Sequence, residues 1–286
     1  MKLSLGTAQF GMNYGISNRK GKPDYEEAER ILHLAKKSDI KLIDTAIVYG
    51  DSEKVLGEIG VDDFKIITKL PHVGIKKNKI PDWIKQQVYG SLSRLKVNKI
   101  HGLLLHNSED LISIHGQEIY KTIDELKKEE IITKIGISVY NPTQINHIIS
   151  NYSIDIVQSP LNLFDRRLIT GGWLSSLKNK NIEVHTRSCF LQGLLLMDSN
   201  NIPDYFKTWQ DILNLWHKWL EENQESALKT CLSFPFSIKD VDKVIVGVDS
   251  FNNLNEIIKN IPLLGLKYPD IAIEDESLIN PSKWKI

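Results

Sequence analysis

Two cysteines, Cys189 and Cys231, are all that 286 residues contain. A disulfide framework needs more of them in a shorter chain, so the expectation is two buried thiols in a reducing compartment. Neither stands in a cluster with metal-ligand spacing, and no metal is expected. Excess charge of either sign is absent too: 36 basic residues balance 36 acidic ones. That removes the electrostatic footprint of a nucleic-acid or anionic-membrane partner. No apolar run approaches the length of a membrane span. The opening stretch MKLSLGTAQFG is cut at Gly6-Thr7, too early for the core of a signal peptide, and a cytoplasmic protein is the default expectation. Also missing is a strand–Gly-x-Gly-x-x-Gly–helix fingerprint, which argues against a Rossmann dinucleotide fold. Low-complexity segments, linkers and sequence repeats are absent.

What is present is an ordinary globular composition, 41% apolar and 25% charged, enough to bury a core. Short apolar runs alternate with helical patterns about eight times. The runs are KLSLG, Lys41–Thr45, FKIITK, KIHGLLLH, KIGISV, IDIVQSP, NIEVHTRS and DKVIVGV. Helical periodicity predicts helices over Asp24–Ser38, from Ser52, Pro81–Leu95, Gln117–Glu129, from Pro142, Leu168–Asn179, across most of Pro203–Ser233, and over Asn252–Asn260. Residues from Ile261 onward read as a tail with Pro262, Pro269 and Pro281. Eight βα units at this length close a barrel, and strands apolar throughout fit burial on both faces. The expected fold is α/β: a single (β/α)8 TIM barrel domain over residues 1–286.

The most informative stretch runs from Lys41 to Gly57, KLIDTAIVYGDSEKVLG. A strand ends in Asp44, Tyr49 follows in a turn closed by Gly50 and Asp51, and a helix begins at Ser52. The next two strands end in Lys69 and His106. Taken singly, Asp44 is a turn cap, Tyr49 a loop anchor, Lys69 a solvated strand end and His106 a satisfied histidine. Together, at three successive strand ends of a parallel barrel, they stand where barrel chemistry occurs.

This pattern resembles that of the aldo-keto reductases, in the Asp44, Tyr49, Gly50, Ser52 and Glu53 signature followed by Lys69 and His106, and the likeness extends over nearly the whole chain. The resemblance implies hydride transfer between NAD(P)H and a small-molecule carbonyl. Reducing a carbonyl requires a proton on oxygen, and a tyrosine with a pKa of about 10 gives one reluctantly. In the implied roles Tyr49 is the proton donor, Lys69 stabilises its phenolate, Asp44 fixes the lysine, and His106 orients the carbonyl oxygen. Many relatives carry a hairpin below the barrel. This chain starts directly at its first strand, so the barrel bottom must be closed otherwise.

The resemblance also implies a cofactor site. Gly6 and Thr7 match the segment near the nicotinamide ribose. Ser138 and Gln158 match the groups that hold the carboxamide, with Val139 where an asparagine is usual. Arg187 stands where relatives place a stacking aromatic, and a guanidinium either stacks there or binds a substrate anion. Ser188, Leu191, Gln192 and Gly193 match the loop around the pyrophosphate. After Gly247, relatives that choose NADP carry Lys or Arg. This chain has Asp249 and Ser250, then Asn252 and Asn253. An aspartate there repels a phosphate, accepts from a ribose hydroxyl, or serves the helix start. NADP is the first expectation and NAD the second.

Short loops predict an open mouth, with Phe10, Tyr14, Phe164, Arg166 and Trp173 as candidate lining. Arg166 and Arg187 point to a polar, sugar-type or anionic substrate. Two rival readings remain: a cofactor-binding barrel with a regulatory role, and a sugar isomerase or epimerase using Lys69 or His106 as base.

Overall fold

The computed structural model describes residues 1–74, 79–261 and 266–285. Pro262, named with the tail, lies outside them. Eight parallel strands close into one barrel in sequence order. They are β1 (Leu3–Gly6), β2 (Leu42–Asp44), β3 (Lys65–Leu70), β4 (Ile100–Leu105), β5 (Ile132–Ser138), β6 (Ile156–Pro160), β7 (Glu183–Arg187) and β8 (Lys243–Gly247). β1 pairs with both β2 and β8, with Gly6 facing Asp44 on one side and Gly247 on the other. Leu42, Ile67, Leu104 and Ile156 form a separate buried cluster, apart from the larger core. Gly102 leaves room for it, because a Cβ there would stand 2.4 Å from Ile67 Cδ1.

Helices cover the outside by the periodicity of their apolar residues. The Tyr25–Lys37 helix starts at Asp24, whose side chain accepts from Glu27 N, and buries Ala28, Ile31, Leu32 and Ala35. The Ile80–Leu95 helix carries Pro81 in its first turn, where the missing N–H costs nothing.

Three sequence expectations change. The helix foreseen over Leu168–Asn179 is two pieces, Arg167–Thr170 and Trp173–Asn179, broken at Gly171 and Gly172, the latter with φ of +71°. Pro142 opens a short 3-10 turn before the Ile145–Asn151 helix. The tail includes a short Glu276–Ile279 helix, and Ile273 N donates to Phe164 O across more than a hundred residues.

At the N-terminal ends of the strands, charged groups gather. Lys134 Nζ lies 2.5 Å from Glu183 Oε1, and His185 Nε2 lies 3.5 Å from Glu183 Oε2. Lys65 and His101, near the starts of β3 and β4, belong to the same electrostatic group. No helix among the described residues is long and apolar enough to cross a membrane.

Candidate active site

The Asp44–Tyr49 segment is built by close packing. Tyr49 sits in a tight turn, its N–H bonded to Ala46 O and its carbonyl accepting from Ser52 N. Gly11 presses on this turn so closely that a Cβ would lie 1.6 Å from Tyr49 O, and Gly50 adopts φ of +52° against Gly11 O. Only glycine tolerates both the contact and that backbone region. Ser52 bonds to Thr7 and Thr45. Glu53 is buried, accepting from Thr68 Oγ1, Ser91 Oγ and Arg94 Nε. The Ser-Glu pair of the signature is therefore an anchor that fixes the turn.

Asp44 is shared between two donors. Lys69 Nζ stands 2.5 Å from Oδ1 and also donates to Thr45 O, while Gln158 Nε2 donates to Oδ2 at 2.7 Å. Lys69 is 1% exposed and lies beneath the cavity wall. Its Nζ is 5.1 Å from the centroid of the Tyr49 ring, and the Tyr49 and His106 rings meet edge to face at 5.8 Å.

Burial pushes the Tyr49 phenol above its ordinary pKa, and the Asp44 charge adds to this. Arg187 is the cation that draws it back down, an influence beyond the lysine and aspartate foreseen from the residues alone. Burial lowers the Lys69 pKa, while Asp44 opposes that shift. Burial, then the charges of Lys69 and Arg187, bring His106 down to about 4, so its imidazole is neutral at pH 7.

A cavity of about 430 Å³ opens at the C-terminal ends of the strands. Asp44, Tyr49 and His106 line it. So do Gly6, Thr7, Ser138, Gln158, Arg187, Ser188, Gly193, Gly247, Asp249 and Asn253. Leu191 and Ser250 do not: Leu191 is fully buried in the core, and Ser250 caps the Phe251–Lys259 helix through Asn253 N. Asp249 does not cap; its Oδ1 accepts from Asn253 Nδ2.

Most of the expected lining residues do not reach the cavity. Phe10 and Phe164 are fully buried in the core, and Trp173 packs against it. The Arg166 guanidinium donates to Leu163 O and Pro269 O and lies over the Phe234 ring. Tyr14 does line the cavity, with Tyr140, Gln9, Asn18 and Gln192. Gln9 and Asn18 have no sequence signal, because their place depends on the loop after β1 meeting the loop after β7. Ile16 N donates to Gln192 O, and Gly193 leaves space for Ser17, whose Oγ would be 1.8 Å from a Cβ. Cys189 also borders the cavity, but burial pushes its thiol up to about 12, which leaves it inert as a nucleophile.

A parallel barrel with a protonated phenol, a neutral imidazole and a buried lysine–carboxylate pair at one strand-end cavity defines an enzyme of the (β/α)8 class. Residues 2–276 match the Aldo/keto reductase family model, so the chain belongs to the aldo-keto reductases and is an NAD(P)H-dependent oxidoreductase. It is 27% identical to the uncharacterized oxidoreductase YqkF of Bacillus subtilis (strain 168), over 90% of each chain. Its fold is similar to that of the aldo-keto reductase AKR11C1 of Bacillus halodurans in its holo form (TM-score 0.75, 21% identity, 96% of this chain and 94% of that one). It is also similar to the glycerol dehydrogenase AKR11B4 of Gluconobacter oxydans (TM-score 0.71, 24% identity, 94% and 88%).

Proposed function

We propose that this protein reduces the carbonyl of a polar small molecule, with Tyr49 giving the proton to the oxygen. The observation that carries this reading is the placement of Tyr49 beside His106 on one cavity wall, with the Lys69–Asp44 pair directly behind the phenol. The phenol is protonated at neutral pH, and burial raises its pKa further above the ordinary value. Neutral His106 donates a ring N–H to the same oxygen and fixes its direction. As the proton leaves, the Arg187 guanidinium offsets the charge that develops on the phenolate. Lys69 is enclosed by Asp44 and Thr45, which leaves it no route to act as a base in an isomerase.

The nicotinamide cofactor supplies the hydride when bound. The donor set fits such a group. Gln158 uses its Nε2 on Asp44 and keeps its carbonyl oxygen for a carboxamide, and the Ser138 hydroxyl stands beside it in the strand register. Gln9 Oε1 is a buried acceptor without a partner on the same cavity. Ser188, Gln192 and Gly193, all with positive φ, bring backbone close to the cavity where a diphosphate needs N–H donors. On the β8 side the polar lining of this cavity among the described residues is Asp249, Asn253 and Glu256, while Lys20, Lys22 and Arg30 border the adjoining recess that holds Asp249 and Ser250. The carboxylates suit a ribose hydroxyl and support NAD, and the neighbouring cations support the NADP that the resemblance puts first.

The polar wall of Gln9, Tyr14, Asn18, Tyr140 and Gln192 supports a hydroxylated, sugar-type carbonyl substrate. A panel of simple aromatic aldehydes, aldoses and nucleotide-linked keto-sugars, read by loss of reduced-nicotinamide absorbance, tests both points. Faster turnover of aromatic aldehydes sinks the substrate reading. Undiminished turnover by Tyr49→Phe sinks the mechanism.

A further inference from the structure

Arg187 ends β7 and lines the cavity. Its Nη2 donates to Val139 O at 3.1 Å and its Nη1 to Ser188 Oγ at 3.3 Å, and its Cζ stands 4.5 Å from the centroid of the Tyr140 ring. Every one of these partners is uncharged, and no carboxylate among the described residues pairs with this guanidinium. The other ionic groups at this end cancel: Lys69 and Asp44 neutralise each other, and His106 is neutral. The reacting end of the cavity therefore holds one positive charge in excess.

We propose that Arg187 makes the cavity discriminate between the oxidation states of the nicotinamide cofactor, holding the reduced form more tightly than the oxidised one. This rests on the reductase reading. Hydride passes to a carbon whose oxygen meets Tyr49 and His106, so the nicotinamide ring shares that end of the cavity with Arg187. The ring is neutral when reduced and positive when oxidised. A guanidinium pinned by Val139 O and the Tyr140 face repels only the oxidised form. Oxidised cofactor then leaves readily after each reduction and inhibits weakly. Each tenfold of discrimination raises the potential of the bound two-electron couple by about 30 mV.

Fluorescence or calorimetric titration of the whole protein with NADH, NAD⁺, NADPH and NADP⁺ tests this. The expected wild-type result is a reduced form bound at least about tenfold more tightly, the effect of one charge at roughly 10 Å in an effective dielectric of about 20. Arg187→Met brings the ratio towards one, and Arg187→Lys, which keeps the charge, preserves most of it. A wild-type ratio of one or below overturns the proposal without any variant. So does an unchanged ratio in Arg187→Met, including an equal loss of affinity for both forms, which would mean that the side chain only packs. If the wild type binds none of the four nucleotides, the reductase reading itself fails and this proposal falls with it. Binding and turnover with a flat ratio removes Arg187 alone.

Discussion

The Tyr49 and His106 rings stand edge to face, 5.8 Å between centroids and 85° apart in plane, on the wall of one cavity. The two side chains come from different strand ends and face the same cavity. Burial holds the His106 imidazole neutral at pH 7 and raises the Tyr49 phenol above its ordinary pKa.

Tyr49→Phe removes the proton donor and leaves the wall intact. The expected loss in kcat is roughly 10²–10⁴-fold, with reduced-cofactor affinity unchanged. Stopped-flow turnover alongside a binding titration separates the two. A variant that loses affinity instead of rate counts against the assignment.

Lys69→Met leaves the Asp44 carboxylate buried with Gln158 alone. Breaking a buried ion pair from one side costs about 3–5 kcal/mol. Chemical denaturation measures this loss. Adding Asp44→Asn to the same chain recovers much of the stability and none of the turnover, which divides the structural from the catalytic role of the pair.

Acid destabilises the cofactor-free protein in a defined window. Burial, first of all, holds both His106 and His101 at about 4, below the value near 6.5 of an unfolded histidine. Between those limits the unfolded chain binds more protons than the folded one. Stability is therefore complete above about pH 6.5 and drains away as pH falls towards 4. Melting temperatures across that range should fall, and His106→Gln should flatten the fall. An equal slope in the variant removes His106 from the account.

Gly11→Ala forces a methyl group to within 1.6 Å of Tyr49 O. The turn must move, at a cost of about 1–3 kcal/mol or more. Turnover should fall together with stability, because the displaced residue is the acid. A variant with full kcat would show that the turn tolerates the shift.

Asp249→Lys places a cation where two carboxylates, Asp249 and Glu256, now line the β8 side. NADPH affinity relative to NADH should rise about tenfold, the effect of a charge reversal in a partly exposed site. Unchanged selectivity would place the distal end of the cofactor away from Asp249.

The barrel was legible because its strands are short apolar runs spaced by helical patterns, and local periodicity reports them directly. Asp44, Tyr49, Lys69 and His106 were legible because each ends a strand or follows one, and in a parallel barrel all those ends share a face. Two of the reassignments come from side-chain direction. Phe164 sits fully in the core and Arg166 is held by carbonyls of distant segments, neither of which its neighbours in sequence betray. The break at Gly171–Gly172 was readable in principle, since paired glycines weaken a helix, but apolar spacing across it masked the signal.

Local order in the chain decided the eight-fold alternation, the capped helices and the set of ionisable groups gathered at the strand ends. Those depend on contacts between residues a few positions apart. Only the closed barrel decided that Lys69 would be buried, that Glu53 would anchor the turn, and that Arg187 would face the cavity with no opposing carboxylate among the described residues. Burial and charge pairing are properties of neighbours brought together from remote parts of the chain, and no stretch of sequence contains both partners.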